Sequence, residues 1–334
     1  MASSTSDKYV AAFNHWVDYR TRGEALIYMR LETPAEIGLQ LAAYAAYLCD
    51  AKHNTADTAK SKLSSVKWCH LHDAGVALGS HKVVTDTLAA LHKQSTAVQH
   101  KQGVFLADML LWWPHVQGTG VLQENVWRAI LLAFHMLLRA SEYLAADLKG
   151  TVDAEKCLLV GGVRFVRDGA DLPLQQWKQA DHARLLLRAS KTDQQRVGSV
   201  LVLSNCGGSR ACPVRALAEL MLAYPPGVQS ADLLMTVLRK GAQSVIHRRE
   251  LMCMVKHMVA AQGRPTEHVG THAMRVGGAT TLAHAKMPDR LIKLAGRWKS
   301  DAYRIYIKDS LGDFLRVTAV LSTPTAVTRE VIMR

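Results

Sequence analysis

The chain has 334 residues, of which 49% are hydrophobic and 21% are charged, so neither disorder nor a membrane protein is expected. At about 150 residues per domain, this length favours two domains. The net charge of +13 is the strongest bulk signal, because a basic surface attracts polyanions by releasing their counterions. Nucleic acid is the expected partner. An anionic membrane surface is the alternative, but no segment is clearly a basic amphipathic helix.

The N-terminal residues, the apolar runs and the cysteines lead us to expect an intracellular protein. Residues 1–8 lack the basic-then-apolar order of a secretory signal, and the apolar run at 129–138 is interrupted by His135. The six cysteines contain no C-x-x-C pair, which is typical of reduced thiols rather than of disulfides or a zinc site. A bacterial cytoplasm and a eukaryotic nucleus both remain open.

The first part of the chain is predicted to be all helical. Between residues 8 and 100, apolar residues recur at helical spacing with polar breaks, which indicates four helices packed as a bundle. The third of them is expected to follow Thr55, and the fourth to begin near Val83. We predict a helical domain over 1–103, with the linker near 93–103.

The second part, 104–334, is predicted to be a mixed α+β domain. A helix is expected over 123–138, followed by short strands at 157–160, 163–166, 184–188 and 197–203 that form a small antiparallel sheet. Helices are expected again over 213–224, 244–261 and within 272–309. The predicted fold class is therefore mainly α with a small antiparallel β-sheet, ending in a C-terminal tail from about 311.

One short segment combines residues that suit phosphate chemistry. Thr271 is predicted to cap a helix on which His272 and Arg275, three positions apart, lie on one face and can point at a single phosphate. Gly277 and Gly278 each cost a helix about 1 kcal/mol relative to alanine, so we expect another backbone to approach closely there. Taken alone, a histidine and an arginine at this spacing are more often an ordinary surface pair.

The next helix is expected to begin at Pro288 and to stop at Gly296. Trp298 follows in the turn and carries an indole N–H donor, although an isolated tryptophan more often simply packs. Tyr303 and Tyr306 lie just beyond it.

Segment 271–307 resembles the C-terminal box of the tyrosine recombinases, which cut and rejoin DNA through a phosphotyrosine. Segment 137–144, with a glutamate three residues after an arginine, is similar to the first arginine box of that family. Segment 190–193 is similar to the segment that carries the β-hairpin lysine of the family. The helical region before 103 resembles the family's core-binding domain, by its pattern rather than by a motif. The order of the boxes, rather than any single one, carries the resemblance.

The resemblance implies roles for individual residues. Two arginines clamp the non-bridging phosphate oxygens, for which guanidinium is suited because it donates paired hydrogen bonds. The histidine assists near the nucleophile, the lysine protonates the leaving 5′ oxygen, and the indole donates a hydrogen bond. The nucleophile is a tyrosine, with Tyr306 preferred over Tyr303. The implied catalytic residues are Arg139, Lys191, His272, Arg275, Trp298 and Tyr306.

The implied function is that of a site-specific recombinase or integrase that acts on double-stranded DNA through a 3′-phosphotyrosyl intermediate. No carboxylate cluster accompanies the site, so we expect neither a metal nor another cofactor. The implied covalent intermediate conserves the energy of the phosphodiester, so no ATP is expected. The apolar pattern from Leu311 onward fits ordinary core packing or a tail that docks on a neighbouring subunit, and we favour the docking tail, because the resemblance implies a tetramer on DNA. The alternatives are a non-catalytic DNA-binding derivative of this fold, and a type IB topoisomerase or telomere resolvase.

Overall fold

The computed structural model of the chain describes residues 3–94, 102–145, 155–190, 193 and 195–307. The chain divides into two compact units, Met1–Gln99 and His100–Arg334, which we call unit 1 and unit 2. The predicted domain boundary at 103 lies just inside unit 2, and the middle of the predicted linker lies outside the described residues.

Unit 1 is helical in its described part, as its apolar periodicity predicts. Thr33 and Glu36 form a reciprocal capping box at the start of the second helix, and Thr55 caps the third, as expected. Trp16 and Tyr44 are fully buried at the centre of its core, with their rings edge to face at 5.0 Å. The helices are α1 (Ser3–Arg22), α2 (Pro34–Asp50), α3 (Ala56–Ala74) and α4 (Lys82–Gln94).

Unit 2 is built around one central helix, α6, in which every residue over 125–134 is buried. Three later helices, α7 to α9, pack against it. The stretch 129–134 of α6 is apolar on all sides, as expected of a helix inside a domain, and the buried Arg128 is paired with Glu124 and Glu219. The helices of the unit are α5 (Leu106–Trp112), α6 (Val121–His135), α7 (Pro213–Leu222), α8 (Arg248–Ala261), α9 (Ala273–His284) and α10 (Asp289–Gly296).

The sheet of unit 2 is antiparallel, as predicted, with the strand order β2-β1-β3-β4. Ala183, Leu185 and Leu187 of β3 face the core, since alternate residues of a strand share a face. A separate hairpin pairs β5 with β6. The strands are β1 (Val163–Arg167), β2 (Ala170–Leu172), β3 (His182–Leu187), β4 (Ser199–Ser204), β5 (Thr236–Arg239) and β6 (Ala242–Val245).

Several predicted elements of unit 2 are wrong in detail. The helix expected to reach residue 138 ends at His135, because the chain turns at Leu137 through a left-handed backbone conformation with φ of 48°. The strand expected at 157–160 is reduced to a single bridge between Leu159 and Leu233. Helix α8 begins at Arg248 rather than at 244, because residues up to Val245 form β6. Neither α5 nor the β5–β6 hairpin was predicted.

Candidate active site

Arg139 lies in extended backbone just after the left-handed turn at Leu137. Its backbone N–H and its Nη1 both donate to the carboxylate of Glu142, each over 2.9 Å. Glu142 is only 1% exposed, so this carboxylate fixes both the main chain and the side chain of Arg139. The helix expected over 123–138 does not reach Arg139, because α6 ends at His135 and Arg139 lies directly before a short 3₁₀ turn over Ala140–Glu142.

Arg275 lies on α9 and is fully buried. Its Nη1 donates to the carbonyl oxygen of Leu137 and its Nη2 to that of Gly296, over 2.6 Å for the second bond. Burial, followed by the positive charges of Arg139 and Arg297, lowers the pKa of Arg275 to about 9. This side chain ties α9 to the turn after α6 and to the end of α10.

Aromatic rings cover the guanidinium of Arg275. Its Cζ lies 4.0 Å from the ring centroid of Trp298 and 5.6 Å from that of Tyr306. Both distances are in the range of cation–π interactions. With these rings in place, the guanidinium has no contact with solvent. A phosphate can therefore reach Arg275 only after a covering side chain moves.

His272 lies immediately before α9. The helix begins at Ala273 with His272 in the capping position, so the prediction of Thr271 as the cap is wrong by one residue. The imidazole of His272 lies nearly parallel to the ring of Tyr306, with centroids 6.2 Å apart and an angle of 7°. The ring of Trp298 lies 5.4 Å from that of Tyr306. Four of the predicted residues, His272, Arg275, Trp298 and Tyr306, thus form one cluster.

The two candidate tyrosines differ in their surroundings. Both lie in the 3₁₀ segment Asp301–Tyr306, but Tyr303 is 1% exposed, whereas Tyr306 is partly exposed. The ring of Tyr303 packs at 6.1 Å from Trp298, and its hydroxyl accepts a hydrogen bond of 3.4 Å from Arg304 Nε. Tyr306 instead faces the imidazole of His272. The geometry therefore favours Tyr306 as the group that can meet a substrate.

Lys191 lies outside the described residues. The connection that contains it joins β3, which ends at Leu187, to β4, which begins at Ser199.

Two residues of this site were not predicted as functional, Arg297 and Glu142. Arg297 ends α10 in a left-handed conformation with φ of 56°, and its Nη2 donates to Glu142 Oε2 over 2.7 Å. Burial lowers the pKa of Arg297, and the charge of Arg139 acts in the same direction. A helix that ends in the left-handed conformation usually has glycine or asparagine at this position. The signal in the sequence was therefore the arginine that stands there instead, directly after Gly296.

Close approach of the backbone at α9, predicted from Gly277 and Gly278, is confirmed. An added Cβ would lie 1.8 Å from the carbonyl oxygen of Val104 at Gly277, and 2.8 Å from that of Phe134 at Gly278. At Gly296 it would lie 1.7 Å from the indole of Trp298. The glycines thus let α9 and Trp298 take their places around Arg275.

Over the described ranges, no group of three or more histidine, cysteine, aspartate or glutamate side chains is placed to hold a metal ion. The charged side chains described at the site are Arg139, Arg275, Arg297 and Glu142. Within those same ranges, no helix is both long enough and apolar enough to cross a membrane.

Neither a protein-family model nor a curated protein matches the chain. Solved structures do match. One is the XerH site-specific recombinase bound to palindromic difH substrate in a post-cleavage complex, with a TM-score of 0.54, 16% identity, and coverage of 91% of this chain and 75% of that one. Another is a lambda integrase dimer bound to a COC′ core site, with a TM-score of 0.52, 14% identity, and coverage of 91% and 89%. The chain therefore has the fold of the tyrosine recombinases.

Proposed function

We propose that this protein is a site-specific DNA recombinase or integrase that cuts and rejoins double-stranded DNA through a 3′-phosphotyrosyl bond. The observation that carries the proposal is the cluster of His272, Arg275, Trp298 and Tyr306, with Arg139 held beside it by Glu142. A protein that only binds DNA has no need of a tyrosine stacked on a histidine and next to a buried arginine. The fold and the net charge of +13 support the same function.

The proposed cleavage step is an in-line displacement at phosphorus. The hydroxyl oxygen of Tyr306 attacks, the bond from that oxygen to phosphorus forms, and the bond from phosphorus to the 5′ oxygen breaks. His272 accepts the phenolic proton, and Lys191 donates a proton to the leaving 5′ oxygen. Rejoining reverses these transfers. Because the phosphotyrosine keeps the energy of the phosphodiester, neither step needs ATP.

Arg139 and Arg275 are the proposed ligands of the two non-bridging oxygens. Among the described residues, the side chain of Arg139 donates a hydrogen bond only through Nη1, so the rest of its guanidinium can serve a phosphate. Arg275 uses one N–H of each Nη on carbonyl oxygens, and its Nε has no hydrogen-bond partner. A guanidinium carries five N–H groups, so Arg275 retains three. Fixed donors in a site that excludes water stabilise the charge that develops on the phosphate, and we propose that they do so without a metal.

For the whole protein, we propose that unit 1 is a core-binding domain that holds DNA, and that the protein assembles as a homo-tetramer on DNA. Unit 2 has an exposed apolar groove of about 760 Å³ between α10 and β4, with Val200, Val202 and Leu294 along it. Such a surface supports contact with a neighbouring subunit. The tail predicted from about 311 lies outside the described residues. Sedimentation with DNA over a range of concentrations tests the assembly, and a strictly monomeric complex throughout contradicts it.

The test of the activity uses a DNA site selected from a random pool by binding, then prepared with a nick close to the cleaved position. After cleavage, the short DNA fragment that carries the freed 5′ hydroxyl diffuses away. Rejoining is then prevented, so the covalent complex accumulates. We expect a protein–DNA adduct that survives SDS and forms with EDTA present and without ATP. A well-bound site that gives no adduct refutes the enzyme and favours a non-catalytic DNA-binding protein. Relaxation of supercoiled DNA without exchange of partners favours a type IB topoisomerase.

A further inference from the structure

Both terminal nitrogens of Arg297 donate hydrogen bonds to the protein itself, while its buried Nε has no hydrogen-bond partner. Its Nη1 donates to the carbonyl oxygen of Met136 over 2.9 Å, and its Nη2 donates to that of Leu137 over 3.3 Å and to Glu142 Oε2 over 2.7 Å. Its side chain is only 9% exposed. A guanidinium tied in this way has little left to offer a phosphate, although its charge lies beside the site.

The carboxylate of Glu142 lies between two guanidinium groups. Its Oε1 accepts from Arg139 Nη1, while its Oε2 accepts from the backbone N–H of Arg139 and from Arg297 Nη2. A guanidinium and a carboxylate left to themselves favour a bidentate pair of parallel hydrogen bonds. Because Arg297 Nη2 and the backbone N–H of Arg139 together occupy Oε2, the side chain of Arg139 pairs through a single Nη, and the remainder of its guanidinium stays available.

Arg297 also shares a partner with Arg275. Both side chains donate to the carbonyl oxygen of Leu137, and Arg275 additionally holds the carbonyl of Gly296, the residue before Arg297. The three arginines are therefore fixed relative to one another around a single turn. Arg297 has a left-handed backbone conformation, which is unfavourable for a residue other than glycine, and its side-chain hydrogen bonds hold that turn in place.

We propose that Arg297 is a positioning residue for the phosphate clamp, which acts through Glu142 and the Leu137 carbonyl without touching DNA. It keeps Arg139 from closing on Glu142 in a bidentate pair and holds the turn on which Arg275 is anchored. This role rests on the proposed DNA cleavage. It predicts that loss of Arg297 misplaces the clamp rather than weakening the binding of DNA.

The test measures the rate of adduct formation at saturating nicked DNA, together with the affinity for intact DNA. Arg297→Met removes both the charge and the N–H donors of the guanidinium. Arg297→Lys keeps the charge but lacks the planar arrangement of donors. We expect both variants to react about 10- to 100-fold more slowly, because small displacements of catalytic groups have effects of that size. DNA affinity should change less than about threefold. Arg249→Met, at an exposed arginine of α8, is the matched control and should react at the normal rate.

A double-mutant cycle with Glu142→Gln tests the route of the effect. If Arg297 acts in part through Glu142, Arg297→Met should cause a clearly smaller loss in the Glu142→Gln background than in the unsubstituted protein. Multiplied losses in the double variant, or a normal rate in Arg297→Met, overturn the proposal. A normal rate in Arg297→Lys also overturns it, because charge alone would then suffice. Circular dichroism shows whether each variant is folded. If Arg297→Met does not fold, the rate of adduct formation by Arg297→Lys tests the proposal in its place.

These outcomes are distinct from failure of the proposed function. If the unsubstituted protein forms no adduct on DNA that it binds, the enzyme is refuted, and the positioning role is refuted with it. If the unsubstituted protein forms the adduct and the cycle is additive, the enzyme stands and only the role of Arg297 is lost.

Discussion

Replacement of Gly277 by alanine should damage both the fold of unit 2 and its site. Gly277 lies on α9, two residues after Arg275, and an added Cβ would lie 1.8 Å from the carbonyl oxygen and 2.7 Å from the carbonyl carbon of Val104. The obstacle is backbone, so no rotamer change can relieve it. The segment is also tied down, since the N–H of Val104 donates to the carbonyl oxygen of Ala273 over 3.0 Å.

The expected cost follows from two opposing effects. Overpacking costs about 1–3 kcal/mol and occasionally more, and a contact this short with backbone belongs at or above the upper end. Alanine in place of glycine returns about 1 kcal/mol through its higher helix propensity. We therefore expect a net loss of about 2–3 kcal/mol in the free energy of unfolding. For a unit of this size, that loss lowers Tm by roughly 5–10 °C.

Thermal unfolding followed by calorimetry measures this change. Gly270→Ala, in the loop before α9, is the matched control, because a Cβ there meets nothing within 4 Å and its φ is not in the left-handed region. Its Tm should stay within about 2 °C of that of the unsubstituted protein. If Gly277→Ala is as stable as the control, the close packing of Val104 on α9 is wrong, and with it the account of how Arg275 is placed.

Three further predictions concern charge. Arg275→Lys should slow adduct formation by about 100-fold or more while DNA binding is retained, because an ammonium cannot reproduce the guanidinium fork; a nearly normal rate contradicts this. Because burial and the charges of Arg139 and Arg297 lower the pKa of Arg275 to about 9, its cationic form is lost above that value. Adduct formation at DNA concentrations well below saturation, which reports on the free protein, should then fall as pH rises through about 9, and a rate that stays level to pH 10 counts against the clamp. Burial alone raises the pKa of Glu219, but the hydrogen bond from Arg215 and nearby positive charges outweigh it, and the pKa is lowered. The ionised Glu219 therefore stabilises the folded protein above the ordinary pKa range of a carboxylate, and this contribution is lost as pH falls. Glu219→Gln should lower Tm at pH 7 and have much less effect near pH 3. Thermal unfolding at the two pH values measures the difference.

The helices were predictable where local signals agree. In unit 1, apolar spacing and caps such as Thr55 define the helices, because both act within a few residues. The end of α6 was not predictable, since Leu137 takes a left-handed conformation that no glycine or asparagine announces. The β5–β6 hairpin was missed because its strands are four residues each and carry Arg239 and Gln243 rather than an apolar alternation.

The candidate site was partly predictable for a related reason. The spacing of His272 and Arg275 is local, so the sequence indicates that they lie near each other. The hydrogen bonds of Arg275 to Leu137 and Gly296 span 138 and 21 residues, and such tertiary pairings leave no local pattern. The same holds for Arg297 and Glu142, which are 155 residues apart and became visible as a pair only in the fold.

The identity of the nucleophile tests the central claim most directly. The nicked DNA substrate is incubated with the unsubstituted protein, with Tyr306→Phe and with Tyr303→Phe, and the adduct is separated in SDS and mapped by mass spectrometry. We expect the DNA on Tyr306, no adduct with Tyr306→Phe, and an adduct with Tyr303→Phe, since the Tyr303 ring is buried against Trp298. An adduct that persists in Tyr306→Phe, or that disappears only in Tyr303→Phe, contradicts the account.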